Sequence, residues 1–125
     1  MLFLSHFPSH LATREKKMDL LNQLENLIEQ LNKSVRSLRY TGADYAEADR
    51  AYKVKLSETL LKLEAEGRPV SNLQYIARGI EDVADAKYKQ IATEAIYKAN
   101  LEAIQALKLQ IKVLDAQIGR EWSNE

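Results

Sequence analysis

The chain has 125 residues, enough for one domain, and its 18 basic and 18 acidic side chains leave it without net charge. A neutral chain lacks the strong field that draws proteins onto nucleic acid or anionic membranes. The absence of cysteine excludes disulfides and thiolate chemistry, and no apolar run approaches the roughly 18 residues needed to span a bilayer.

Residues 1–17 differ in pattern from the rest of the chain. Residues 1–7 are apolar but lack the basic start and the longer apolar core of a signal peptide. Residues 14–17 can be encoded by purine-only codons, like those of a ribosome-binding site, directly before Met18. We predict that residues 1–17 are a disordered or non-native extension and that residues 18–125 form a single helical domain.

The segment after Met18 carries apolar residues at helical spacing. A stripe with spacings of three and four is flanked by a second row at spacing seven: Leu20, Leu24, Leu27, Leu31 and Leu38, with Leu21, Ile28 and Val35. Three apolar positions in every seven are typical of a helix in a bundle. The pattern predicts a first helix over residues 19–39.

The next segment is ambiguous at Gly42. Thr41 and Asp44 are compatible with a capping box that starts a new helix. Gly42 is equally compatible with one continuous helix, in which it costs about 1 kcal/mol relative to alanine. We predict a second helix over residues 43–66. It ends at Gly67, which is followed by Pro69, because glycine is favoured after a helix and proline cannot continue it.

Two further helices follow. Residues 72–78 form a predicted short helix, and the last helix is predicted over residues 81–120. The strongest apolar stripe of the last helix provides the candidate self-association residues: Leu101, Ile104, Leu107, Ile111, Leu114 and Ile118.

These elements predict an all-α fold. Residues 19–66 fold back on the last helix as a long antiparallel hairpin, with the helix at 72–78 at its tip. Two helices with such wide apolar faces cannot cover each other, so we expect a homo-oligomer, with a dimer favoured, that completes a bundle. A sharp turn at Gly42 would instead give a monomeric three-helix bundle.

No catalytic, cofactor-binding or metal-binding residues emerge from the sequence. His6 and His10 have the spacing of a helical metal site, but Pro8 lies between them and no carboxylate is near. No other histidine and no cysteine exist, so base-assisted and thiolate nucleophiles have no partners. We therefore expect a protein that is not an enzyme and has no cofactor.

Tyrosines and basic residues alternate around Gly42. Aromatic and arginine side chains are enriched at binding hot spots, which makes this segment a candidate partner interface: Arg36, Arg39, Tyr40, Arg50 and Lys53. The neighbouring Tyr45 and Tyr52 are also compatible with core positions. A stacking platform for single-stranded nucleic acid is a third interpretation, which nearby acidic residues disfavour.

Two stretches carry a family resemblance. One is Ala-Tyr-Lys at 51–53 through Leu-Leu-Lys-Leu at 60–63, Glu-Gly at 66–67 and Ala-Arg-Gly at 77–79. The other includes Glu-Ala-Ile at 102–104, Leu-Asp-Ala-Gln-Ile at 114–118 and Arg-Glu-Trp at 120–122. Both resemble small uncharacterised helical proteins of phages and prophages of Gram-positive bacteria, over residues 18–123. Such proteins are commonly encoded among early replication and recombination genes.

The resemblance implies an accessory role in DNA transactions within the bacterial host cytoplasm. We therefore expect a non-enzymatic phage or prophage protein that acts by helical protein–protein contact linked to replication or recombination. The alternatives are an inhibitor of a host defence system, a single-stranded DNA-binding protein and a structural or scaffolding virion protein. The sequence identifies no particular protein partner, and we expect neither membrane binding nor direct binding of nucleic acid.

Overall fold

The computed structural model describes residues 9–123. Three α-helices and one 3-10 helix contain nearly all of them: α1 (Ser9–Ala65), the 3-10 helix (Val70–Asn72), α2 (Leu73–Gly79) and α3 (Glu81–Ser123). This described part of the chain contains no β-strand. The predicted all-α fold is confirmed, and the predicted short and last helices lie within a few residues of α2 and α3.

Helix α1 continues through Gly42. The predicted separate helices at 19–39 and 43–66 are therefore wrong, and α1 also begins earlier, at Ser9. Thr41 does not cap a new helix, because its hydroxyl lies 3.3 Å from the carbonyl oxygen of Leu38 and 2.8 Å from Oδ1 of Asn100. A continuous α1 excludes the alternative three-helix bundle that required a turn at Gly42.

Helix α1 ends where the glycine–proline signal predicted. Gly67 adopts a φ of 78°, the left-handed conformation that glycine enters without a steric penalty. Its N–H donates to the carbonyl of Glu64 at 3.0 Å, and the N–H of Arg68 donates to the carbonyl of Leu63 at 3.2 Å. These bonds satisfy carbonyl groups that the helix end would otherwise leave free.

The described residues form two compact units, and both long helices contribute to each. The first unit contains residues 9–35 and 102–123, and the second contains Arg36–Leu101. In the second unit Thr41 contacts Asn100 and Asp49 contacts Gln90, so α1 and α3 run antiparallel. In the first unit Lys16 near the start of α1 pairs with Glu121 near the end of α3, at 2.9 Å. The predicted antiparallel pairing of the long helices is confirmed.

In the first unit, the contact between α1 and α3 uses two positions in every seven. Its α3 side consists of buried and half-buried residues at alternating spacings of three and four: Ile104, Leu107, Ile111, Leu114 and Ile118. On α1, Leu20 is buried, whereas Leu24, Leu27 and Leu31 are half-buried. This spacing is that of a coiled-coil seam, so we call the row of contact positions on each helix the seam.

Part of the predicted extension belongs to α1. Residues 1–8 lie outside the described residues, but residues 9–17 are helical. Lys17 is only 6% exposed, and its amino group lies 4.9 Å from the ring centre of Trp122. A cation held over an indole ring is attracted by the negative face of the ring. That the native protein starts at Met18 stays a prediction.

In the second unit, α2 packs against the end of α1. Leu63, Leu73 and Ala77 form a buried cluster, and half-buried neighbours surround it: Leu56, Leu60, Ile76 and Ile80. Ser71 lies within the 3-10 helix that precedes α2. The short helix thus covers apolar side chains near the end of α1.

Substitution by alanine should change the free energy of unfolding in opposite directions at Gly42, within α1, and at Gly67, just after the end of α1. At Gly42 an added Cβ would lie 3.8 Å from Cε1 of Tyr97, an ordinary contact, within a helix that favours alanine. We expect Gly42→Ala to raise the free energy of unfolding by roughly 0.5–1 kcal/mol. Gly67→Ala should lower it by about 1 kcal/mol, since its left-handed φ disfavours a side chain.

Urea unfolding followed by circular dichroism measures both changes. Gly67→Ala serves as the matched control, because it makes the same chemical change where the backbone opposes it. A destabilised Gly42→Ala variant would contradict a continuous α1.

Candidate partner-binding surface

The five residues of the predicted interface lie together on the outer side of α1, in the second unit. All are exposed, and Tyr40 exposes 67% of its surface. We call them the basic face: Arg36, Arg39, Tyr40, Arg50 and Lys53. None occupies a seam position, because the seam of this segment uses positions such as Tyr45, Ala48 and Tyr52. The spacing rules of a helix therefore place the basic face away from α3.

Its positive charge is strongest at the N-terminal end. No ion pair joins Arg36 or Arg39 to any other described residue. Arg50 lies 3.6 Å from Glu47, but both side chains are more than 70% exposed, so this pair contributes little. Lys53 binds Asp49 at 2.8 Å. Arg36 and Arg39 are thus the cations most available to an external acidic group.

An apolar row runs beside these charges. Tyr40, Val54 and Leu61 are separated by 14 and seven residues, which places them on one side of the helix. They expose 67%, 44% and 65% of their surfaces. These three side chains lie outside the contact between α1 and α3. A surface that combines free arginines with an exposed apolar row has the composition of a protein-binding site.

Behind the basic face, the seam of the second unit is polar. Lys53 bonds to Asp49, whose Oδ1 accepts a hydrogen bond from Nε2 of Gln90 at 2.5 Å. Oε1 of Gln90 accepts a hydrogen bond from Lys87 at 2.8 Å, and the Lys87 amino group lies 4.7 Å from the ring centre of Tyr52. Gln90 is 8% exposed, so both ends of its amide are paired where water is scarce.

The other two tyrosines of the segment belong to this seam. Tyr52 is 8% exposed, and Tyr45 is half-buried with its ring centre 5.9 Å from that of Tyr97. The hydroxyl of Tyr45 also bonds to Glu94. The interpretation as a core residue is confirmed for Tyr52, whereas Tyr45 is only half-buried against α3. Tyr40 is the exposed tyrosine of the basic face.

The network shifts the ionisation of its members. Hydrogen bonds from Lys53 and Gln90 lower the pKa of Asp49, and the hydrogen bond from Lys98 lowers the pKa of Glu94. The bond to Asp49 raises the pKa of Lys53. Desolvation, followed by the charges of Glu94 and Asp49, raises the pKa of Tyr45. The pKa shifts of Asp49, Glu94 and Lys53 favour the charged forms of these groups, and that of Tyr45 favours its neutral form. The hydrogen bond between Gln90 and Asp49 joins α3 to α1 within this network.

The candidate self-association residues are largely used within the chain. Ile104, Leu107 and Leu114 are buried against α1, and Ile111 and Ile118 are half-buried. Leu101 is 37% exposed. Burial by α1 leaves the first three side chains unavailable to a second copy.

Sequence reasoning missed Val54 and Leu61 as part of the surface. Their signal was available, because apolar residues seven apart that fall outside the main stripe mark a second side of a helix. It also missed Lys17, since a lysine at a seam position interrupts the apolar pattern. The long stem of lysine nevertheless packs like an apolar side chain while its amino group finds Trp122.

Residues 13–123 contain no group of three or more histidine, cysteine, aspartate or glutamate side chains placed to hold a metal ion. The predicted pair His6 and His10 lies outside the side chains that the structure describes. None of the described helices has the length and apolar character to cross a membrane. No protein-family model, curated protein or solved structure matches this chain.

Acid should weaken the polar seam through Asp49 and Glu94. Their lowered pKa values contribute stability that is present above their ordinary values near 4 and is lost as the pH falls through the folded-state values. We expect Asp49→Asn with Glu94→Gln to reduce the fall in unfolding free energy between pH 6 and pH 3.

Urea unfolding at stepped pH measures this slope. Asp19→Asn with Glu25→Gln is the matched control, since it removes the same two charges from exposed positions. A control slope reduced as much as that of the seam variant would show that the network does not cause the acid sensitivity.

Proposed function

We propose that this protein is a non-enzymatic helical binding protein whose basic face docks on an acidic, partly apolar surface of another protein. The main observation that supports this proposal is that Arg36, Arg39 and Tyr40 are exposed within five consecutive positions of a continuous helix, outside the seam. Arginine and tyrosine contribute strongly to interfaces because they combine large contact area with hydrogen-bonding groups. Because α1 is a helix packed against α3 on one side, Arg36, Arg39 and Tyr40 have little backbone freedom to lose when a partner binds.

Charge and apolar surface together indicate the partner's chemistry. Arg36 and Arg39 fit carboxylates, which arginine binds with two parallel hydrogen bonds. Tyr40 and the apolar row that it begins need apolar groups beside those carboxylates. A partner helix with acidic residues along one edge and leucine-type residues along the next would satisfy both requirements.

The resemblance to small phage and prophage proteins supplies the biological setting of this proposal. It supports a protein in the host cytoplasm that attaches to a component of replication or recombination. An inhibitor of a host defence system would use the same kind of surface, with a defence protein as the partner. A scaffolding role would place the protein in assembling or mature particles.

Direct binding of single-stranded nucleic acid is the alternative function from a different class of activity. The basic face offers four cations, but Asp49 engages Lys53, and Glu47 lies beside Arg50. Few phosphates can then be neutralised, so affinity at physiological salt should be low. Tyr45 and Tyr52 are also used in the seam, which removes two of the three rings that a stacking platform would need.

Site-specific photocrosslinking tests the proposal in cells that express the chain. A benzophenone amino acid at position 40 should form a discrete covalent adduct with one protein. The same group at position 88 is the matched control, because Tyr88 is 75% exposed on α3, away from the basic face. We expect Arg36→Ala with Arg39→Ala to reduce the adduct at position 40 at least about tenfold, the loss of a typical hot spot.

Lys112→Ala with Arg120→Ala removes two exposed cations of α3 and should leave that adduct unchanged. Circular dichroism should show that both double variants keep the helicity and melting temperature of the parent. Equal adducts from positions 40 and 88 would contradict a docking face on α1. Sub-micromolar binding of an oligonucleotide at physiological salt, lost in the Arg36→Ala, Arg39→Ala variant, would replace the proposal with the nucleic-acid alternative.

A further inference from the structure

The first unit leaves one apolar side of α1 uncovered. Leu21, Ile28 and Val35 follow one another at spacing seven, directly beside the seam. Leu21 is half-buried, whereas Ile28 and Val35 expose 41% and 48% of their surfaces. On α3 the matching positions at spacing seven are Lys108, Asp115 and Trp122. These six residues are the flank face.

The contact between Lys17 and Trp122 brings the two rows to one side of the unit. The Lys17 amino group lies over the Trp122 ring. The side of α3 that carries Trp122 therefore adjoins the side of α1 that carries Lys17. Leu21 follows Lys17 by one helical turn, and Asp115 precedes Trp122 by two turns. The second unit shows the same relation, since Tyr52 in the seam of α1 meets Lys87 on the matching flank of α3.

The seam beneath the flank face is incompletely covered. Leu24 and Leu31 on α1 and Ile111 and Ile118 on α3 are only half-buried, although they occupy seam positions. In the second unit, where α2 adds a third helix, Ala77 and Val83 have no exposed surface at all. The described residues of the first unit include no third helix. The large apolar side chains of the first unit therefore need a surface from outside the unit to bury them fully.

We infer that a second copy of this chain covers the flank face and completes an antiparallel four-helix bundle over the first unit. The charges indicate the symmetry. Lys108 and Asp115 are the two charged members of the face, opposite in sign and two turns apart. A two-fold axis that crosses α3 midway between them places Lys108 of each copy against Asp115 of the other. An interface that uses the same surface twice requires such self-complementarity.

The same axis also satisfies the apolar row of α1. Ile28 is the midpoint of the row, so the axis brings Ile28 against its own counterpart and Leu21 of one copy against Val35 of the other. The row and the charged pair lie on different helices, yet both are symmetric about one level of the unit, so the axis pairs five of the six residues of the flank face and leaves out Trp122. The agreement of these two patterns argues for a second copy over an unrelated partner.

The face is small for a dimer. With the axis at Ile28, the part of α1 in the first unit that can face the first unit of the other copy is residues 21–35, which extend for roughly 21 Å. Two adjacent helices present a width of roughly 20 Å, so each copy would bury on the order of 400 Å², less than the roughly 600 Å² per copy of the smallest stable interfaces. The resulting dimer should therefore dissociate readily and should be measured at high protein concentration.

Sedimentation equilibrium of the full chain tests the inference. We expect a species of twice the 14.3 kDa chain mass, and Ile28→Asp should yield the monomer. Leu61→Asp is the matched control, because Leu61 is more exposed than Ile28 and lies on the same helix in the second unit. It should leave the dimer intact. A parent chain that stays monomeric at high concentration would overturn the inference.

A charge exchange tests the symmetry without touching the apolar core. Lys108→Asp alone, or Asp115→Lys alone, places like charges opposite each other and should weaken dimerisation at least about tenfold. The double variant should regain the parent's dissociation constant within about threefold. Because two turns separate the residues within one chain, rescue reports contact between copies. Single variants that dimerise like the parent would show that the face is not the interface.

Crosslinking provides a second measurement that does not depend on affinity. The chain has no cysteine, so Ile28→Cys introduces one thiol, next to its own counterpart across the axis. A short bismaleimide should couple Ile28→Cys chains to dimers and should couple Leu61→Cys chains poorly. A dimer whose Leu61→Cys variant couples better than its Ile28→Cys variant would assign self-association to another surface and refute this one.

Discussion

The structure depends on how little of a helix a single neighbouring helix can cover. Two packed helices bury about two positions in every seven, and the remainder of each surface must face water or another element. The burial of the apolar side chains of this molecule reflects that limit. Where α2 supplies a third layer, Leu63 and Ala77 are buried. Where the layer is missing, Ile28 and Val35 keep nearly half of their surface exposed.

The seam itself changes character along α1 and α3. In the first unit its α3 side is aliphatic from Ile104 to Ile118, so successive layers of the contact resemble one another. In the second unit the buried Gln90 meets Asp49, and the half-buried Thr41 meets Asn100, so that the polar atoms of this contact are paired. Displacement by a few residues would leave these atoms without partners. The polar layers therefore fix the alignment, and the aliphatic layers provide most of the apolar burial.

Much of this architecture could be predicted from spacing alone, and the exceptions have identifiable causes. The end of α1 was predictable because Gly67 and Pro69 leave the backbone no helical alternative. Gly42 could not be decided, since a cost near 1 kcal/mol is outweighed by the packing of neighbours such as Tyr45, which no local rule contains. The exposure of Arg36, Arg39 and Tyr40 followed from periodicity. The pairing of Asp49 with Gln90 did not, because it depends on the register between two distant segments.

Because α1 is continuous through Gly42, it holds the charged residues of the basic face at fixed distances from one another. Arg36 and Arg39 precede Arg50 and Lys53 by 14 residues, so the two cationic pairs are held roughly 21 Å apart on one side of a stiff rod. A partner of the kind proposed above would need to present its acidic groups at that interval and in that direction. Insertion of one residue between the pairs would rotate one against the other by about 100°. Under the proposed function, the distance and the angle between the two pairs would therefore contribute to the choice of partner, a property that flexible linkers cannot provide.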